Sequence, residues 1–405
     1  MVHRVKLGKV PPKPHTTFHD EDGKLLMEQM VTRQGFHGPF SILYYRLPPT
    51  DEFEVESFRV PGFCPFELLE KQPLYRRHIR TQDLKPGGDF LTGRRMLMVN
   101  RNLQISLCKP CEPPVRFFSN GDGDELWFMK RGRGRLESVY GVLEFREHDY
   151  VLIPKSTPYR LHFDGECGTA LVFEGRPWLG IPGDYRNSWG QLSDSAPYTH
   201  RDFREPTELL GRDVRERCET PFCLVTKMGD ELTVHKYKHF PLDVVGWDGT
   251  IYPVAFNIHD YQPKTGIVHL PPTTHTTFAG EGFVVCSFVP RKVDYFERGE
   301  QKAIPCPYAH ASVDMDEILY YVEGEFSSRK GVESESISLH PQGITHGPHP
   351  GTYERSVGTQ RTDELAVMCD AYDAFRLTKT AAAVEDADYH RTWVTKEGSS
   401  TWVSR

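Results

Sequence analysis

The feature that most constrains this chain is the arrangement of metal-binding side chains between His310 and His346. Its first half reads HASVDMDEILYYVEG, in which Glu317 lies seven residues after His310 and seven before Gly324. Its second half reads LHPQGITHGPHPG and contains the pattern P-x-G-x-x-H, which ends at His346. Two neutral imidazoles and one carboxylate can occupy one face of Fe(II) and leave positions open for substrate and oxygen. The spacing therefore predicts a metal site made by His310, Glu317 and His346.

The prediction depends on the spacings of all three residues taken together. In a chain with 18 histidines, a single histidine near a carboxylate is expected by chance. H-x6-E-x6-G followed about twenty residues later by P-x-G-x-x-H resembles the paired motif of the cupin β-barrel. His310 and Glu317 are an odd number of positions apart, so one straight strand would point them to opposite faces. We therefore expect a turn or bulge between them, for which Asp314 and Asp316 are suitable residues.

The rest of the chain predicts mostly β structure. Thirty-one prolines and 34 glycines interrupt short β-branched and aromatic runs. The predicted strands are Met96–Val99, Glu125–Met129, Tyr150–Ile153, Ala170–Phe173, Phe283–Val289, Ile318–Val322, Ser336–Leu339 and Leu365–Cys369. Only two short helices are expected, at Phe66–Leu69 and Thr378–Asp386.

An internal repeat indicates two related barrels. Residues 118–162 repeat the motif, with Glu125 seven residues before a glycine, as Glu317 is. Phe118 and Tyr159 stand where the second copy has its two histidines. One carboxylate without an imidazole should not hold iron, so we expect the first barrel to be structural.

The predicted fold is therefore all-β, a bicupin of two jelly-roll β-sandwich or barrel domains with few short helices. Residues 1–258 form an N-terminal domain that contains a degenerate, metal-free cupin barrel with its core at about 90–175. Residues 259–405 form the C-terminal, iron-binding cupin domain.

Composition excludes several classes of function. The net charge of -7 argues against nucleic acid, which requires a basic surface, and the cluster KRGRGR at 130–135 is expected to be a solvated turn. No apolar run is long enough to span a membrane, and the opening segment MVHRVKLGKVPPKPH lacks the apolar core of a secretory signal, so we expect a soluble, cytoplasmic protein. Nine scattered cysteines favour reduced thiols.

Further histidines and a tyrosine flank the predicted ligands. His269 and His275 bracket a diproline corner, and either could act as general acid or base because an imidazole titrates near neutral pH. Tyr308 could donate to a bound oxygen or pack as an aromatic, and His340 could contact a ligand or the substrate. His349 is expected to be exposed.

At larger scale the chain resembles the homogentisate 1,2-dioxygenase family in its shorter bacterial form. The similar segments are GKVPPKPHTTF, LDVVGWDGTIYPVAFNI, HLPPTTHTTF, PYAHASVDMDE, SISLHPQGITHGPHPG and TDELAVMCDAY. The resemblance implies Fe(II) held by the same two histidines and glutamate, with His269 as the catalytic histidine, Tyr308 beside the iron and His340 lining the substrate site. His275 and the ligand His346 would also face the substrate.

The implied reaction is ring opening of homogentisate by O2 to 4-maleylacetoacetate, a step of tyrosine and phenylalanine breakdown, and the family implies a homo-oligomer. Animal-type members have one residue fewer between the first histidine and the glutamate, an asparagine at Ser312 and a tyrosine at Phe326. The substrate could therefore be a related hydroquinone or gentisate-like acid. Arg291 is a candidate for binding the substrate carboxylate.

Two other classes of function remain open from the sequence. A cupin isomerase or hydrolase could use the same three residues around Mn(II), Zn(II) or Ni(II), because the affinity order alone does not select the metal. A binding or storage bicupin would hold a ligand without turnover.

Overall fold

The computed structural model describes residues 2–165, 167–210, 220–265, 272–293, 297–326, 329 and 331–394. Strands make up most of the regular secondary structure and helices are few and short, so the all-β prediction is confirmed. Within the described ranges, no helix is both long enough and apolar enough to cross a bilayer.

The strands are short and follow one another closely. In the described residues they are β1 Val5–Gly8, β2 Met27–Thr32, β3 Phe40–Tyr45, β4 Glu52–Phe58, β5 Arg77–Ile79, β6 Arg94–Val99, β7 Leu103–Cys108, β8 Phe117–Asn120, β9 Asp124–Arg131, β10 Gly134–Ser138, β11 Gly141–Phe145, β12 Asp149–Ile153, β13 Tyr159–Phe163, β14 Thr169–Gly175, β15 Leu179–Gly180, β16 Phe203–Arg204, β17 Phe222–Met228, β18 Glu231–Tyr237, β19 Val244–Gly249, β20 Val254–Asn257, β21 Thr276–Gly280, β22 Phe283–Phe288, β23 Arg291–Lys292, β24 Glu297–Arg298, β25 Gln301–Lys302, β26 Asp316–Glu323, β27 Ile337–His340, β28 Arg361–Thr362, β29 Leu365–Ala371 and β30 Arg376–Leu377. The α-helices are α1 Thr352–Ser356 and α2 Lys379–Ala382, and 3-10 turns occupy Thr81–Asp83, Gly183–Tyr185, His200–Asp202, Ile258–Asp260, Pro272–His275 and Tyr389–Arg391.

The chain divides into two compact units. The first comprises Met1–Glu67, Lys85–Asp260 and Ala279–Glu281, and the second comprises Leu68–Leu84, Tyr261–Phe278 and Gly282–Arg405. Each unit therefore includes a short segment that is flanked in sequence by residues of the other.

The first unit is a β-sandwich. One sheet has the strand order β11-β10-β13-β8-β17-β18-β4, and another contains β16-β20-β12-β9-β14-β7-β6 in that order. One buried core cluster contains side chains of both sheets: Leu136, Tyr159 and Val225 come from the first, and Trp127 and Val172 from the second. Alternating side chains of both sheets fill the space between them, as expected for a jelly roll.

A buried ion pair occupies the first barrel at the position of the repeated motif. Phe118 and Tyr159 lie opposite each other on neighbouring strands. Glu125 accepts hydrogen bonds from the Tyr159 hydroxyl and from Arg94 Nη1, the latter at 2.6 Å. The Arg94 guanidinium also lies 5.1 Å from the centre of the Trp127 ring. A protein cation, which the sequence did not predict, therefore lies beside this carboxylate.

The second unit is organised around one larger sheet, which contains β21-β22-β29-β26-β27-β5 in that order. Antiparallel pairing joins β26 to both β27 and β29. One face of this sheet buries Cys286, Leu319, Tyr321, Ala366 and Met368. Two small ribbons, β23 with β28 and β24 with β25, accompany it.

Two local predictions are wrong. Phe66–Leu69 forms no helix, because Leu68 instead makes a β-bridge with Thr378, so tertiary pairing overrides local propensity. Cys111 and Cys167 form a disulfide across 56 residues, whereas reduced thiols were expected. The predicted helix near the C-terminus is present but shorter, as α2.

Candidate metal centre

Glu317 is fixed by the middle strand of the second unit. It lies on β26 directly opposite His340 on β27 and Asp370 on β29. Residues opposite each other on adjacent strands share a face. Leu319 and Tyr321 alternate with Glu317 on this strand and enter the apolar cluster, so packing of this face orients the carboxylate.

The two histidines of the motif are paired with each other through the backbone. The amide of His310 donates to the carbonyl of His346 at 2.8 Å, and the reverse bond is also 2.8 Å. The expected turn between His310 and Glu317 is a bend at Val313 and Asp314. Asp316 already belongs to β26, where its carboxylate accepts from the backbone amides of residues 342 and 375.

Backbone carbonyls define which nitrogen of each imidazole faces Glu317. His310 Nδ1 lies 2.8 Å from the Tyr308 carbonyl, and His346 Nδ1 lies 3.0 Å from the Ile344 carbonyl. A carbonyl only accepts hydrogen bonds, so both Nδ1 atoms carry the proton and each neutral ring presents the lone pair of Nε2. Those Nε2 atoms lie 3.8 Å and 3.5 Å from the Glu317 carboxylate.

These three residues have the properties of a divalent metal site. One donor atom from each of His310, Glu317 and His346 lies within 4.8 Å of the others. The Nε2 atom of His346 is buried and has no hydrogen-bond partner in the described part of the chain. A buried lone pair beside a carboxylate is costly unless a cation or a donor satisfies it. Two oriented imidazoles and a carboxylate therefore fit Fe(II) or a related divalent ion.

A third histidine holds the carboxylate. His340 is fully buried, and its Nδ1 donates to Glu317 Oε1 at 2.7 Å. Burial lowers the pKa of His340 to about 3, so this ring is neutral. Burial alone would raise the pKa of Glu317, but its contacts with the imidazoles of His310, His340 and His346 hold the pKa well below its usual value. Glu317 is therefore an oriented carboxylate at neutral pH, as a metal ligand must be.

The segment after His346 is packed tightly on both sides. A β-carbon on Gly347 would come within 2.8 Å of the Ala309 Cα, so only glycine fits here. The Gly347 carbonyl accepts from Trp393 Nε1 at 3.1 Å. The expected exposure of His349 is wrong: this residue is fully buried, with its ring stacked on Trp393 at 3.9 Å.

A cavity of about 850 Å³ opens beside the three donors and lies wholly in the second unit. Both His310 and Glu317 line it, together with apolar side chains such as Phe288 and Phe326. Many other lining residues are charged, among them Arg291, Arg329 and Glu364. A cavity that combines apolar walls with converging polar and charged groups can hold and orient a small polar molecule.

The remaining predicted site residues lie in different places. His269 is outside the described residues. His275 is buried and lines the cavity, with its ring 4.8 Å from that of Phe288. Arg291 also lines the cavity. Tyr308 is half exposed, and its ring lies edge-on to His310 at 5.8 Å.

Sequence reasoning missed Arg329. This residue lines the cavity, and its Nη1 donates to the Gly347 carbonyl at 2.7 Å. Arg329 follows the glycine that ends the H-x6-E-x6-G pattern, but no motif specifies an arginine at this position. The sequence therefore gave no signal that Arg329 would line the cavity.

The fold and the donor cluster together define a bicupin with a candidate metal site in its C-terminal barrel. Models of the homogentisate 1,2-dioxygenase N-terminal and C-terminal domains match residues 111–258 and 250–399. The chain belongs to the homogentisate 1,2-dioxygenase family, and it is a dioxygenase of the cupin type.

Individual relatives differ in their sequence identity to this chain. A Saccharolobus solfataricus protein named "Putative dioxygenase SSO1533" is 35% identical over 98% of this chain and 100% of its own length. The homogentisate 1,2-dioxygenases of Pseudomonas putida GB-1 and Pseudomonas entomophila L48 are 26% and 24% identical. These alignments cover 76% and 82% of this chain, and 73% and 80% of the relatives. A cupin 2 conserved barrel domain protein of Leptotrichia buccalis is 11% identical, with a TM-score of 0.33 over 76% of this chain and 100% of its own.

Proposed function

We propose that this protein is an Fe(II)-dependent dioxygenase that opens the aromatic ring of homogentisate with O2 and yields 4-maleylacetoacetate. The observation that carries the proposal is the cluster of His310, Glu317 and His346 beside a cavity large enough for an aromatic acid. Family membership supports the reaction type. Both atoms of O2 enter the product, so no further reductant is needed.

His310, Glu317 and His346 would hold the iron. Bound Fe(II) would supply the one-electron chemistry that lets O2 react with a closed-shell aromatic ring. The chain itself fixes both imidazoles through carbonyls 308 and 344 and fixes the carboxylate through His340. Such outer hydrogen bonds set the tautomer and orientation of each ligand.

The proton from a ring hydroxyl needs an acceptor near the cavity. His269 is our first candidate, on the resemblance to the family. His275 is the alternative, because it is buried and lines the cavity. A neutral imidazole there can accept the proton at its free ring nitrogen and raise the electron density of the ring. The ring of Tyr308 lies edge-on to that of His310, and we assign Tyr308 to contact with the substrate as it binds beside the metal.

A related hydroquinone acid is a second candidate substrate. Phe326 lines the cavity where animal-type family members have a tyrosine, so a hydroxyl that could bind substrate is replaced by an apolar edge. The Saccharolobus relative, more similar to this chain than the two Pseudomonas enzymes, carries no substrate in its name.

Oxygen consumption by anaerobically iron-loaded protein tests the proposal. With homogentisate we expect one O2 consumed per molecule of substrate and one ring-opened product, and homogentisate should give a higher kcat/KM than gentisate or methylhydroquinone. Mn(II)-, Zn(II)- and Ni(II)-loaded samples serve as controls for an isomerase or hydrolase. An iron-loaded protein that consumes no O2 with any of the three compounds would reject the dioxygenase assignment.

A further inference from the structure

The loop that carries the ligand His346 is contacted by side chains from two distant parts of the second unit. Arg76 lies just before β5, and its Nη1 donates at 3.4 Å to the carbonyl of Thr345, the residue before the ligand. Trp393 lies near the C-terminus, and its Nε1 donates at 3.1 Å to the carbonyl of Gly347, the residue after the ligand. The backbone on each side of His346 is therefore bonded from outside the loop.

Arg76 and Trp393 also contact each other, and together with His349 they form a stack that we call the clasp. The guanidinium carbon of Arg76 lies 4.3 Å from the centre of the Trp393 ring. The ring of His349 lies 3.9 Å from that of Trp393, with an angle of 28° between the two planes. A guanidinium is attracted to the face of an indole, and its planar shape allows it to stack there. One indole therefore links a cation from the start of the unit to a residue of the ligand loop.

A directed hydrogen bond fixes His349 against the C-terminal turn. The Thr392 hydroxyl donates its only proton to the carbonyl of Tyr389 at 2.7 Å. It must therefore accept from Nε2 of His349, which lies 2.6 Å away. This bond and the stack on Trp393 give the fully buried imidazole one tautomer and one orientation. The end of the ligand loop cannot turn away without losing both contacts.

The direction of His346 Nε2 depends on the backbone of this loop. The Nδ1 atom of the same ring donates to the Ile344 carbonyl, and the backbone of His346 pairs with that of His310. A ligand atom must lie within about 0.5 Å of its productive position. A shift of the loop relative to the other ligands would therefore misplace Nε2. The contacts of the clasp on both sides of His346 limit that shift.

We propose that the clasp of Arg76, Trp393 and His349 is a positioning element of the metal centre, and that Arg76 and Trp393 act together on iron affinity through the loop 345–349. None of the three side chains belongs to the described lining of the cavity, so their effect passes through His346. The inference rests on the proposed function in taking His346 to be an iron ligand.

Iron affinity tests the proposal when the full-length protein competes for Fe(II) with a chromogenic chelator under anaerobic conditions. Arg76→Gln should raise the Kd for Fe(II) about twofold to fivefold, as for loss of a contact between a cation and a ring, and Arg76→Lys should lie between it and wild type. Because Arg76 and Trp393 act on one loop through a shared contact, the double variant Arg76→Gln, Trp393→Ala should lose less affinity than the product of the two single losses. Arg80→Gln is the matched control, because its pair with Asp83 is exposed, and it should leave the Kd unchanged.

The EPR spectrum of the Fe(II)–nitrosyl complex gives a second readout, because its rhombicity depends on how the ligands are arranged around the iron. We expect Arg76→Gln and Trp393→Ala to shift this spectrum and Arg80→Gln to leave it as in wild type.

Three results would overturn the proposal. The first is wild-type iron affinity and spectrum in both single variants, and the second is a double variant whose losses multiply fully. The third is a fall in the free energy of unfolding with unchanged affinity and spectrum, which would show a purely structural role. Wild-type iron affinity in His346→Ala would instead refute the ligand assignment of the proposed function, and this inference with it.

Discussion

The ion pair inside the first barrel allows a quantitative prediction. Arg94 and Glu125 are each 1% exposed, with 2.6 Å between Arg94 Nη1 and Glu125 Oε1. Replacing Arg94 by Met leaves a carboxylate buried without its cation, which costs about 3–5 kcal/mol. Loss of the contacts between the guanidinium and the rings of Phe63 and Trp127, at 4.2 and 5.1 Å, adds about 1 kcal/mol. We therefore expect Arg94→Met to destabilise the first unit by about 4–6 kcal/mol.

Removing both charges should cost much less. In the double variant Arg94→Met, Glu125→Gln, the amide can still accept from the Tyr159 hydroxyl, and no buried charge remains. We expect it to recover more than half of the lost free energy of unfolding. Urea unfolding followed by tryptophan fluorescence measures both variants, and Arg391→Gln is the control, because its pair with Asp388 is exposed and should contribute less than about 0.5 kcal/mol. A single variant as stable as wild type, or a double variant no better than the single, would refute the reasoning.

Other predictions concern the metal centre and pH. His346→Ala should weaken iron binding by more than about a hundredfold, as measured by metal analysis after gel filtration, and full iron content in this variant would contradict the ligand assignment. His269→Ala should keep its iron and lose turnover, and full turnover in this variant would exclude His269 from catalysis. Trp393→Ala removes the bond to the Gly347 carbonyl and should weaken iron binding by about five- to tenfold, with Trp393→Phe intermediate; unchanged iron affinity in both would exclude this role. Burial raises the pKa of Asp243 to about 7, so folding favours its protonated form and stability should fall by up to about 4 kcal/mol as pH rises from about 4 to 7. Asp243→Asn should flatten that slope in urea unfolding, and an unchanged slope would show that another group causes it.

The strand pattern and the spacing of the metal donors were predictable because both follow local rules. Short continuous apolar runs identify β26 and β29. The odd separation of His310 from Glu317 requires the bend that the structure has at Val313 and Asp314. The internal repeat was informative for the same reason: Phe118 pairs with Tyr159 as His310 pairs with His346.

Contacts between residues distant in sequence were not predictable. Arg94 precedes Glu125 by 31 residues, and Cys111 precedes Cys167 by 56. His349 appeared exposed because it lies among prolines and glycines, but Trp393 covers it. Arg329 donates to the carbonyl of Gly347, which lies 18 residues later in the sequence. In each case tertiary packing, which no sequence period encodes, decides the contact.

The most direct test of the central claim is the position of iron in crystals of protein loaded anaerobically with Fe(II), located by anomalous X-ray scattering. We predict one iron per chain, about 2 Å from His310 Nε2, His346 Nε2 and a Glu317 carboxylate oxygen. Iron bound elsewhere, or a fully loaded protein whose iron does not contact these three residues, would contradict the account.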